Sequence, residues 1–158
     1  MSFKLGDKVI HSSYGLGEIV DLQEQIIQDV PKNCYVVKTS SLLIWVPVES
    51  EEQHSLRLPT VAGEFKDLTV ILKGPPEPLP TDRTLRRNML IDLLRDGHLA
   101  SICRVIRDMA GYKKNTKLND QEHSILDRAI NSLLTEWTYS LGVPLQEARQ
   151  EMNTLLEG

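Results

Sequence analysis

The chain has 158 residues, is 41% hydrophobic and 25% charged, and carries a formal net charge of −4. That length can bury a real core, as one domain or two small ones, and no run approaches the roughly 18 apolar residues that span a bilayer. Neither Cys34 nor Cys103 has a CxxC partner or a nearby histidine pair. This argues against a zinc site or a disulfide framework, and both cysteines read as small buried hydrophobes.

The first part alternates like a half-buried sheet. Lys8 to His11 predicts a short strand, and Ser12 to Gly17 a turn with two glycines. Glu18 to Leu22 resumes the strand, with an extension toward Ile26 and Ile27, and a second turn is expected over Asp29 to Asn33. Cys34 to Lys38 and Leu42 to Val48 are β-branched and aromatic runs joined by a polar Thr39-Ser40-Ser41 turn, and Leu56 to Leu58 could close the sheet. Short strands at this spacing point to a small SH3-like or Tudor-like barrel.

Ala62 to Lys73 is ambiguous, but Phe65, Leu68, Ile71 and Leu72 are spaced for a short helix. Four prolines then fall within Gly74 to Pro80, marking a domain boundary or a stiff linker. Everything beyond reads as helix. One helix opens near Arg83, and a second carries Leu99, Ile102, Cys103, Ile106 and Met109 on one stripe. Asn119 and Glu122 form a capping box for a third, ended by Gly142, and Pro144 opens the last. The expected fold is α+β in two parts, a β-barrel followed by an all-α bundle. The expected domains are 1–73 and 82–158, with 74–81 as the linker.

Charge is segregated along the chain. Residues 1–72 hold 6 Lys/Arg against 10 Asp/Glu, residues 83–117 hold 9 against 3, and residues 118–158 hold 2 against 7. A basic block between acidic flanks is the footprint of a polyanion contact, and also a pattern that solvated surfaces produce. Within it, DRTLRRN places Arg83, Arg86 and Arg87 at i, i+3 and i+4, on one helix face. Positive charge in a first helical turn opposes the macrodipole, so these arginines do little for the isolated helix and suit phosphates or a narrow minor groove.

Catalytic patterns are missing. His11, His54, His98 and His123 are scattered, Ser12-Ser13 lacks a nucleophile elbow, and Gly15-Leu16-Gly17 lacks the third glycine of a dinucleotide loop. The chain is therefore read as no enzyme, with no metal and no cofactor. Trp45 lies in a strand with Pro47, which suits either an exposed edge that recruits a partner by strand addition or the core of a small barrel.

Nearly the whole chain resembles the CarD/CdnL family of bacterial RNA polymerase-binding transcription factors. The stretches that carry the likeness are FKLGDKVIHSSYGLGEI, YVVK followed by LLIWVPVES, LPTDRTLRR, LLRDGH, VIRDM and LGVPLQEA. The N-terminal ones are also similar to the polymerase-interacting module of transcription-repair coupling factors. The resemblance implies a Tudor-like domain that docks on the polymerase β subunit and a helical domain that touches promoter DNA at the upstream edge of the transcription bubble. It places polymerase contacts at Gln25, Tyr35, Leu43, Ile44, Trp45 and Val46, and DNA contacts at Arg83, Thr84, Arg86 and Arg87. Two departures stand out. Arg83 occupies the position where relatives present a tryptophan wedge, and Gln25 and Trp45 occupy positions that are arginine in some of them. The expected protein is a cytoplasmic monomer without a membrane partner that modulates open-complex stability. The alternative is a protein-interaction module with no DNA role.

Overall fold

The computed structural model describes residues 3–48 and 55–157; His54 lies outside them. The chain divides into two compact units, Met1–Pro59 and Thr60–Gly158. The first holds β1 (Lys8–His11), β2 (Gly15–Ile27), β3 (Val30–Lys38), β4 (Leu43–Pro47) and β5 (Leu56–Arg57). They form one antiparallel sheet in the order β4-β3-β2-β1-β5. Its core is Val9, Ile19, Tyr35, Val37, Val46 and Leu56, with Phe3, Ile44 and Val48 packed against it. The period of two puts Tyr35 and Val37 inward and leaves Val36 on the other face. Tyr35 Oη also accepts a 3.0 Å hydrogen bond from the Phe3 amide, while the two rings meet edge to face. Gly17 is required where β2 crosses β3, because a Cβ there would stand 2.7 Å from Val37 Cγ1 and 3.0 Å from the Lys38 carbonyl oxygen.

The second turn lies earlier than its sequence suggests. Ile27 pairs with Val30, so the loop is Gln28-Asp29, both at positive φ (53° and 64°), a type I′ hairpin. Val30 to Asn33 belong to β3. Pro31 is tolerated there because β4 pairs only with Cys34 to Lys38, so no second strand asks for the missing amide.

The second unit holds a single 3₁₀ turn (Ala62–Glu64), then α1 (Phe65–Lys73), α2 (Arg83–Arg95), α3 (Leu99–Asn115), α4 (Asp120–Leu141) and α5 (Leu145–Glu157). Phe65, Leu68 and Leu72 of α1 join the helical core, with the Phe65 ring 5.8 Å from that of Trp137. The boundary therefore lies at Pro59/Thr60 and not at 73. Burying α1's apolar stripe requires the helices beyond it. The capping box forms in both halves: Asn119 Oδ1 accepts from the Glu122 amide at 2.8 Å, and Glu122 Oε1 accepts from the Asn119 amide at 3.0 Å. Gly142 ends α4 in the left-handed region at φ 65°.

The proline segment is no free linker. Leu79 is buried in the helical core. The Glu77 amide donates to Asp108 Oδ1 at 2.9 Å, and a Cβ on Gly111 would stand 2.5 Å from Pro76 Cβ and Cγ. A proline-fixed backbone that loses little entropy on ordering is thus strapped across α3.

Candidate functional sites

In the sheet unit the site is built on β4. Nothing among the described residues pairs with its outer side, so it is the edge strand. An edge offers unpaired amides and carbonyls to an incoming strand. Leu43 and Trp45 project outward, 50% and 45% exposed. A register shift between Ile19 and Asp21 of β2 turns Asp21, Gln23 and Gln25 onto the same outer face. The Trp45 indole then reaches across β3 to donate to Gln23 Oε1 at 3.0 Å, and Gln25 Nε2 lies 3.4 Å from the same oxygen. Beneath this bridge Val36 and Cys34 are buried although they face outward. Burial pushes the Cys34 thiol up.

Tyr35 and Val46 require correction as contact side chains. Both point into the core, 5% and 7% exposed. Ile44 is half-buried against that core and Gln25 half-buried on the outer face. No local sequence signal marks Gln23. Its role depends on the register shift, which a local pattern does not reveal.

In the helical unit, Asp82 caps α2 by accepting the Leu85 amide at 2.9 Å. The first turn then divides the arginines. Arg83, Thr84 and Arg87 are exposed, but Arg86 is buried, 7% exposed. Its Nε donates to Glu122 Oε2 at 2.7 Å, and Nη1 donates to the Pro80 and Thr81 carbonyls at 3.1 and 3.3 Å. Its guanidinium also lies 5.2 Å from the centre of the Tyr112 ring. Arg86 is thus no DNA contact. Arg86 lies at one end of the arc that the three arginines share, and only that end faces α4, where it finds a carboxylate 36 residues away. Burial pushes Glu122 up, but the Asn119 amide, the Arg86 guanidinium and the more distant charge of Arg83 outweigh it and hold the carboxyl below its ordinary value.

Arg86 therefore ties the first turns of α2 and α4, the end of α3 and the proline strap to one point. Arg107 is likewise engaged, with Asp108 at 2.9 Å. Arg83, Arg87, Arg95, Arg104, Lys113, Lys114 and Lys117 remain exposed, so the basic block survives as a surface without those two members. Among the described residues no group of three or more His, Cys, Asp or Glu could hold a metal ion, and no helix is long and apolar enough to cross a membrane.

Two family models match the chain in succession: the CarD-like/TRCF RID domain over residues 3–58 and the CarD C-terminal domain over residues 67–153. Their junction agrees with the structural boundary. The Bacillus subtilis (strain 168) protein named "Putative transcription factor YdeB" is 24% identical over 147 residues, covering 89% of this chain and 94% of its own. A sheet unit and a helical unit in this order, each matched by its own model, place the chain in the CarD-like family.

Proposed function

We propose that the protein is a transcription regulator that docks on the β subunit of RNA polymerase through β4 and holds promoter DNA at the edge of the bubble through the start of α2. The observation that carries this reading is the open edge of β4 with Leu43 and Trp45 displayed beside it. Strand addition supplies main-chain hydrogen bonds whatever the side chains, and an exposed tryptophan supplies apolar area at low entropy cost. With Trp45 and Gln25 in place of charges, the contact depends on shape and burial more than on salt.

Docking raises the local concentration of the helical unit at DNA, so a weak contact suffices. Arg83 and Arg87 supply it, with Thr84 as a hydroxyl donor between them. Binding the opened junction better than the closed duplex shifts the equilibrium toward the opened form by that difference in affinity. Two phosphate-neutralising arginines give a log affinity against log salt slope of about −2, whereas three would give about −3.

A pulldown with the polymerase β subunit tests the docking. Retention of the wild-type chain and loss with Leu43→Asp/Trp45→Asp are expected. Failure of the wild-type chain to be retained overturns the reading.

A further inference from the structure

We propose that the groove between α2 and α4 is a docking site for an acidic peptide segment, one that seats an aliphatic side chain between two carboxylates. The two helices run side by side in the same direction. Arg86 meets Glu122 near both N-termini, and further along Ile91, Leu94 and Arg95 face Ser124, Ile125 and Arg128. These six residues enclose a cavity of about 150 Å³, room for one branched aliphatic side chain. Its floor is apolar, with Leu94 and Ile125 buried and Ile91 half-buried.

Arg95 and Arg128 stand at its rim, both exposed, and neither side chain makes an ion pair or hydrogen bond among the described residues. The macrodipole accounts for Arg95, in the last turn of α2, but not for Arg128, which lies in the first half of α4. The nearby carboxylates do not answer them. Asp96 is engaged by the His98 amide and the Ser101 hydroxyl, and Asp92 and Asp127 are exposed and make no ion pair among the described residues.

A nucleic acid phosphate would use the two charges and leave the apolar floor empty. A peptide carboxylate matches a guanidinium in bidentate fashion, and a neighbouring leucine or isoleucine fills the cavity. An arginine beside an apolar pocket is also the composition that dominates protein interfaces. This site is independent of the polymerase and DNA readings above.

The test is fluorescence anisotropy of a short fluorescein-labelled peptide of alternating leucine and aspartate, titrated with the full chain. Saturable binding is expected, weakened at least about tenfold by Arg95→Glu/Arg128→Glu. Ser124→Tyr, which plugs the groove while keeping both arginines, should weaken it similarly, and Arg83→Glu/Arg87→Glu should leave it unchanged. The proposal is overturned if the peptide does not bind, if the groove variants bind it as well as wild type, or if a leucine–asparagine peptide binds equally. It is also overturned if Arg83→Glu/Arg87→Glu weakens peptide binding as much. Duplex DNA affinity that falls as much with Arg95→Glu/Arg128→Glu as with Arg83→Glu/Arg87→Glu would give the groove to nucleic acid. Self-association in sedimentation that disappears with the groove variant would give it to a second copy of the chain.

Discussion

The edge strand β4 and the first turn of α2 both display side chains that a partner could meet, yet they hide their neighbours by different rules. In β4 the alternation is local. Leu43 and Trp45 face out, Ile44 and Val46 face in, and the period of two separates them without reference to the rest of the fold. In α2 three arginines fall within one arc, and the arc alone does not say whether it faces water or protein. Glu122, Tyr112 and the Pro80 and Thr81 carbonyls decide it, drawing Arg86 inward and leaving Arg83 and Arg87 exposed. A basic helix face is therefore a count of charges until its buried partners are known.

The sharpest way to break that contrast is to remove one side of the buried pair. Arg86→Ala or Glu122→Gln should each cost about 3–5 kcal/mol, because each strands a buried polar partner. Arg86→Met/Glu122→Leu should recover much of this, and urea unfolding reads all three. The pH dependence has a definite sign. Glu122's folded value lies below its ordinary 4.5, so the pair's contribution is fully present above that value and is lost as pH falls through the lowered one. Glu122→Gln should flatten the acid limb of the stability profile. An unchanged limb would show that Arg86 is not held as described.

Gly111→Ala tests the strap. In an ordinary helix interior this change stabilises by roughly 0.5–1 kcal/mol. Here the added Cβ would meet the Pro76 ring at 2.5 Å, and a proline ring cannot swing aside. A net loss of about 1–3 kcal/mol in thermal unfolding is expected, and a gain would mean the segment is a stiff linker that does not pack on α3.

Much of this architecture was legible in the sequence, and the misses have physical causes. The capping box at Asn119 and Glu122, the stripe of α3 and the Gly142 stop are local signals, and each is seen. The Gln28-Asp29 turn carries none of the Asn-Gly chemistry that usually marks a type I′ hairpin, so the neighbouring proline is the stronger local turn signal. The proline run looked like a linker because composition reports stiffness, not what the stiff segment lies against. The burial of Arg86 and the role of Gln23 are illegible in the sequence for the same reason. Their partners are set by tertiary packing and by a register shift.

On the sheet unit the expected effects on stability are smaller. Trp45→Ala should change stability by about 1 kcal/mol or less, since the side chain is half exposed. It should weaken retention by the polymerase β subunit and open Cys34 to a thiol reagent. Cys103 should stay inert until the chain unfolds, because burial and the charge of Glu136 push its thiol up to about 12. Labelling of Cys103 in the folded variant would contradict the packing of the helical core.

The division of labour among the arginines is tested most directly by the lifetime of open promoter complexes, measured across a salt series with polymerase saturated by the protein. Arg83→Ala/Arg87→Ala should unfold at the wild-type urea midpoint, be retained normally by polymerase, and lose the salt-sensitive part of the effect on lifetime. Unchanged lifetimes with normal retention would show that the exposed arginines do not touch DNA.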